Sequence, residues 1–244
     1  MSCMQGTSCG KSDEEAQRYA DEHKLNLRKD SVKMQQLSDI FAMHGAEEFG
    51  WLMVDVEGAE DIVLPTIDFG RVHAQLVSYE GEHPVAFQHL QKSRYEQIMQ
   101  VGPDRFFART SVIEANRVKY GIEALSPNEN GKCWFHGQRP HHMDREVFKR
   151  LGGKIGECEA ARVEGARYSS EAEICDCTAP AALSFGKGFL EIGSADGQYL
   201  SNLLFFEMQL NWTGFCIEGS PVSFALLEEN RPRCTTINAV IGPD

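Results

Sequence analysis

The sequence predicts an α/β protein built on a doubly wound, mostly parallel sheet. Three observations predict it. First, apolar runs recur that end in an acidic residue: WLMVDV at 51–56, AQLVSYE at 74–80 and GFCIE at 214–218. Runs without polar alternation belong to strands covered on both faces, as parallel strands are. Second, segments with apolar residues at helical spacing separate these runs. Third, the glycine-bearing turn GSADG at 193–197 joins a strand to the next helix, where open α/β sheets place their ligand crevice.

The chain divides into three segments, 1–111, 112–184 and 185–244. In the first, Ser12 and Glu15 form a capping box for a polar helix. Leu37, Ile40, Phe41 and Met43 give a short apolar helix face, and Gly45 is a natural stop. A buried strand is expected over Trp51–Val56, then a helix over Ala59–Ile67 whose regularity Pro65 limits. A second strand, Ala74–Tyr79, precedes Glu80, and a helix follows from Pro84 to Lys92. Tyr95–Val101 and Arg105–Thr110, split by a Gly-Pro-Asp turn, read as an antiparallel hairpin.

The middle segment is rich in glycine, polar and charged residues, and reads as a linker or a partly ordered insertion. One helix is expected there, Asp144–Leu151, capped by Asp144 and ended by Gly152 and Gly153. The last segment is βαβαβ: strand Gly188–Ile192, a helix with Leu200, Leu203, Leu204 and Met208 on its apolar face, and strand Thr213–Ile217. A helix at Val222–Glu229 and a strand at Cys234–Ile241 complete it. That alternation is the mononucleotide-binding half of a doubly wound sheet.

Composition narrows the partners. A net charge of −12 argues against a nucleic-acid backbone or an anionic membrane surface, and leaves a small-molecule acceptor as the partner; the oligomeric state is open. No apolar run approaches the roughly 20 residues of a spanning helix, and the N-terminus lacks a signal-peptide pattern. A soluble, cytoplasmic protein is expected. In that setting the eight cysteines read as reduced thiols, with Cys216 and Cys234 packed in apolar runs. Cys175 and Cys177, with Cys133, His136, His141 and His142, offer a metal constellation, but no second pair stands at zinc-finger spacing, and no metal is expected.

The residues that carry chemistry cluster at strand ends. In FLEIGSADG, Glu191, Gly193 and Gly197 fit an acidic-x-Gly-x-x-x-Gly pattern rather than the GxGxxG of dinucleotide sites. Gly193 lets the backbone turn beneath a ligand and Gly197 lets the next helix start close to it. Glu218 ends the next strand, where a carboxylate can accept both hydroxyls of a ribose. Asn238 and Ala239 on the third strand are possible neighbours of a base.

Read in series, FLEIGSADGQYLSN, NWTGFCIEGSP and ALLEENRPRCTTINAVIG resemble the first half of the FkbM-type methyltransferases, which use S-adenosylmethionine (SAM). Asn211 and Gly219 depart from that family's usual Gly and Pro, which affects turn geometry more than chemistry. QQLSDIFAMHGAEEFGWLMVDVEGAEDIVLPTIDF, LVSYEGE and the hairpin after it resemble the family's second half. The resemblance implies a class I methyltransferase, Rossmann-like fold with strand order 3-2-1-4-5-7-6 and the two halves reversed along the chain. A circular permutation accounts for that order, and so does a slice through tandem domains joined by 112–184. In either arrangement the strand at Phe189–Ile192 is expected to meet the strand at Leu52–Val56.

The resemblance also assigns roles. Glu191, Gly193, Asp196, Gly197, Glu218 and Asn238 would hold SAM, with Glu191 facing its amino group directly or through water. Asp55 would stand at the mouth of the site and orient or deprotonate an acceptor hydroxyl. Glu57, Glu60 and Glu80 would line the acceptor side, although a turn-forming or capping role suits Glu57 and Glu60 slightly better than it suits Asp55. The implied activity is O-methylation of a small molecule or sugar hydroxyl; the alternative is a catalytically inactive binding module on the same scaffold.

Overall fold

The computed structural model describes residues 32–45, 47–111, 124–125, 132–135, 143–162, 171–180, 188–198 and 201–242, with isolated helical positions at 14, 17, 18 and 21. The capping box at Ser12 and Glu15 lies outside these residues, as do His136, His141, His142 and Leu200.

The first segment contributes β1 (Met34–Gln35), α1 (Leu37–His44), β2 (Glu48–Val54), α2 (Glu60–Val63), β3 (His73–Glu80), α3 (Pro84–Lys92), β4 (Tyr95–Val101) and β5 (Asp104–Arg109). The middle segment contributes β6 (Ala124–Leu125), β7 (Lys132–Phe135), α4 (Met143–Arg150), β8 (Lys154–Arg162) and β9 (Glu171–Pro180). The last contributes β10 (Gly188–Ile192), α5 (Leu204–Leu210), β11 (Thr213–Glu218), α6 (Pro221–Asn230), β12 (Thr235–Asn238) and β13 (Val240–Ile241).

Seven strands form one sheet in the order β12-β11-β10-β2-β3-β5-β4. The first five are mutually parallel, and β5 and β4 close the edge as an antiparallel hairpin. The strand that joins the two halves is β10. It pairs with β11 on one side and with β2 on the other, in the register Phe189↔Trp51, Leu190↔Leu52, Glu191↔Met53 and Ile192↔Val54. Residues separated by more than 130 positions in the chain are thus adjacent in one hydrogen-bonded ladder.

Both faces of the sheet are covered, as the continuous apolar runs predict. Because side chains alternate along a strand, Leu52 and Val54 face one cluster with Leu37, Ile40, Phe41, Leu64 and Leu90. Trp51 and Met53 face the other, where Phe205, Phe206 and Leu210 of α5 pack with Phe135 and Phe148. The middle segment therefore does more than link. Its β9 pairs with β6, β7 and β8, all antiparallel, and it caps the second face through Phe135–Phe205 and Phe148–Phe205 ring contacts at 4.6 and 5.3 Å. Its strands are missed in the sequence because KIGECEAAR has few large apolar residues, and most of its described positions are exposed.

Local differences from expectation have local causes. The helix expected over Ala59–Ile67 is one α turn, Glu60–Val63, followed by a 3-10 turn at Leu64–Thr66; Pro65 has no N–H to continue the α ladder. The strand expected over Cys234–Ile241 breaks at Ala239, and β13 leaves the main sheet to pair with β1. Gly45 ends α1 at φ 63° as expected. Asn211 does the same for α5 at φ 56°, a left-handed position that Asn tolerates better than most side chains.

For the six described cysteines the thiol expectation is overturned; Cys3 and Cys9 lie outside the described residues. Cys133 is joined to Cys177, Cys158 to Cys175, and Cys216 to Cys234. Spacing alone could not show this. Cys158 and Cys175 are brought together as cross-strand neighbours of β8 and β9, and Cys133 lies opposite the CxC of β9. Cysteines held in these bonds cannot be thiolate ligands, so the Cys-based metal constellation has no basis among the described residues. No helix among the described residues is long and apolar enough to cross a membrane.

Candidate active site at the carboxyl edge of the sheet

Strands β10, β11, β12, β2 and β3 all present their carboxyl ends at one edge. Every residue expected to carry chemistry lies on these ends or on the turns that leave them.

The turn after β10 is set by two close approaches. Gly193 has φ 86°, and a Cβ there would meet the Asp55 carbonyl oxygen at 1.6 Å. The backbone of the β10 turn therefore sits directly on that of the β2 end, and the Asp55 N–H donates to Ile192 O at 2.9 Å. At Gly197, φ is 78° and a Cβ would meet Arg231 Cγ at 2.6 Å and Leu227 Cδ1 at 2.7 Å. Glycine at both positions has a steric reason that any L side chain would violate.

Glu218 ties this turn to the end of β11. Its carboxylate accepts from the Ala195 N–H at 2.8 Å and from the Ser220 N–H at 2.6 Å. Burial pushes its carboxyl above the usual range, opposed by the N–H groups of Ser220, Ala195 and Gly219. Asn238, one strand further, donates from Nδ2 to the Glu218 carbonyl at 2.8 Å. Asp196 stays on the turn itself, accepting from the Gln198 N–H at 3.0 Å, while its carbonyl holds Asn230 Nδ2 at 2.8 Å.

Glu191 lies beneath the turn. It is 3% exposed and its carboxylate is turned into the protein, with Ser201 Oγ donating to Oε1 at 3.0 Å and Arg231 Nη1 to Oε2 at 3.1 Å. Its carboxylate is held beneath the turn by these two partners. Arg231 itself is fully buried. It also pairs with Glu207 and donates to Gly197 O at 3.1 Å. Arg231 is the main residue that sequence reasoning missed: in NRPRC it stands at a helix end between Asn230 and Pro232 and reads as a surface cation.

On the acceptor side, the structure separates the four expected acids. Glu60 is 1% exposed and closes the turn that precedes it, accepting from the Val56 N–H at 3.0 Å and the Gly58 N–H at 2.9 Å; His83 Nε2 lies 3.0 Å from its other side. It is a turn-holding residue and not a lining one. Asp55, Glu57 and Glu80 converge instead, with carboxylate oxygens within 4.8 Å of one another. Asp104, 3% exposed, faces Glu80 across the β3–β5 ladder and was also missed, because it stands in the Gly-Pro-Asp turn expected between two strands.

The electrostatics of this group follow from burial and like charge. Burial raises the Asp55 carboxyl well above the usual carboxylate range, and Glu80, Glu57, Asp104 and Glu60 add to it. Burial likewise raises Glu80, reinforced by Glu57 and Glu60. Burial and the neighbouring Glu80 push Asp104 up to about 7.

A separate cleft of about 1130 Å³, lined by Phe69, His89, Tyr95 and Arg109 among others, contains none of the expected site residues. No protein family, no curated protein and no solved structure matches this chain.

Proposed function

We propose that the chain binds SAM at the ends of β10, β11 and β12 and directs its methyl group to a hydroxyl oxygen of a small molecule or sugar. One observation carries the reading: the glycine turn after β10 rests on the backbone of Asp55, so the expected cofactor turn and acceptor carboxylate form one edge. Counted from β10, the sheet order reads 3-2-1-4-5-7-6, which supports a class I methyltransferase arrangement of FkbM type with its halves reversed in the chain.

The residues present fit the cofactor. Gly193 and Gly197 let the turn pack directly on Asp55, Arg231 and Leu227, which fixes its backbone at the edge where the cofactor would lie. The Glu218 carboxylate accepts from the N–H groups of Ala195 and Ser220, with that of Gly219 also turned to it; of its roughly four acceptor positions, the one left is available to a ribose hydroxyl. Glu191 serves indirectly, by fixing Ser201 and Arg231 under the turn. SAM, when bound, supplies an activated methyl group for in-line displacement, and positioning accounts for much of such catalysis. Asp55 orients the acceptor hydroxyl and takes its proton.

Isothermal titration with SAM tests the proposal. One binding site is expected in the wild type, with Glu218→Ala abolishing it; no binding at millimolar SAM overturns the reading. A second reading, a binding module on this scaffold without turnover, is favoured by the internal partners of both Glu191 and Glu218. SAM binding without transfer to any hydroxylated acceptor would decide for it. The disulfides support an oxidising compartment over the cytoplasm.

A further inference from the structure

We propose that Asp55, Glu57 and Glu80 form a binding site for one hard divalent cation, of the Mg²⁺ or Mn²⁺ kind, between the carboxyl ends of β2 and β3. The three carboxylates come from two adjacent parallel strands whose register sets Val54 beside Tyr79, which brings Asp55 alongside Glu80. Their oxygens lie within 4.8 Å of one another. That is the spacing at which carboxylates share a cation, share a proton or repel, and Asp55 and Glu80 already meet side chain to side chain.

A second observation points to a ligand. Asp55 Oδ1 is sealed from solvent and has no hydrogen-bond partner among the described residues. A buried carboxylate oxygen without a donor is costly, and natural proteins leave few of them. Asp104, buried behind Glu80, adds a further acid to the same row.

The neighbouring cationic side chains are committed elsewhere. Arg105 donates from Nε to Gly81 O at 3.1 Å and pairs with Glu82. His83 lies against Glu60 and Asp61. Among the described residues no Lys or Arg forms an ion pair with Asp55, Glu57 or Glu80. The donor set is all oxygen, without the thiolate or imidazole that would select zinc. A small hard cation completing its octahedron with water fits such a partial carboxylate shell.

The inference does not depend on SAM, and its test omits SAM so that the two proposals fail separately. The whole chain is stripped of metal with EDTA and titrated with Mn²⁺, free Mn²⁺ being followed by electron paramagnetic resonance. One saturable site that Mg²⁺ competes for is expected. Glu57 is exposed, so Glu57→Gln leaves the fold intact, and it is expected to weaken binding roughly 10- to 100-fold. Asp55→Asn with Glu80→Gln should remove binding; thermal unfolding of that variant, expected to be cooperative because like charges are lost, checks its fold. No saturable binding by the wild type, or unchanged affinity in Glu57→Gln and in the folded double variant, overturns the proposal.

Discussion

Arg231 and Glu191 form a buried ion pair, Nη1 to Oε2 at 3.1 Å, and the same nitrogen donates to the Gly197 carbonyl of the turn above it. Removing the cation strands Glu191 and Glu207 without a counter-charge. Arg231→Met is expected to cost roughly 3–5 kcal/mol of stability. Urea unfolding measures it, and adding Glu191→Gln and Glu207→Gln should recover a large part of the loss. An unchanged midpoint in Arg231→Met would reject the ion pair as drawn.

The bond between the Glu218 carboxylate and the Ala195 N–H makes a related, smaller prediction. Glu218→Gln keeps size but loses charge-assisted acceptance, worth about 1.5–3 kcal/mol per bond to a charged group. SAM affinity is expected to fall at least about tenfold, which corresponds to about 1.4 kcal/mol. Titration calorimetry reads it against wild type. Wild-type affinity would show that this carboxylate does not serve the cofactor.

The Asp104 carboxyl, pushed up to about 7, sets a direction for stability against pH. Its folded-state value exceeds the unfolded one near 3.8, so the folded chain binds the proton more tightly. Protonation from pH 7 down to pH 4 therefore stabilises, and the contribution is lost as pH rises through 7. Asp55 and Glu80 shift the same way. In EDTA the melting temperature is expected to be higher at pH 5.5 than at pH 8 for this group of acids (roughly the window that follows from the shift). Asp104→Asn should flatten that difference and raise the value at pH 8; a steeper profile in the variant would contradict it.

Phe205, on α5, is fully buried against Phe135 and Phe148. Phe205→Ala should cost about 3–5 kcal/mol, measured by chemical denaturation. The loss should extend to β7–β9, so hydrogen exchange at Cys175 and Cys177 ought to quicken as well. Unchanged protection there would mean that the small sheet does not depend on this contact.

The three disulfides among the described residues predict a peptide map. Under non-reducing conditions, fragments joined as 133–177, 158–175 and 216–234 are expected. Replacing Cys216 and Cys234 by serine should cost about 2–4 kcal/mol. Free thiols at all six positions in freshly purified protein would overturn the pairing.

Much of the sheet was legible along the chain because burial on both faces writes a parallel strand as an unbroken apolar run. Trp51–Val54, Ala74–Tyr79 and Gly188–Ile192 fall where those runs stand, and Gly45 and Pro65 mark where neighbouring helices break, through φ and a missing N–H. The site was legible in part: Gly193 and Gly197, and the acids at strand ends, are residue types whose positions follow from turn sterics and strand polarity. Tertiary structure decided the rest. That Glu191 turns inward to Arg231, that Glu60 closes a turn while Asp55, Glu57 and Glu80 converge, and that six cysteines pair are relations between distant residues. Their energies depend on distance and desolvation in space, neither of which local spacing along the chain encodes.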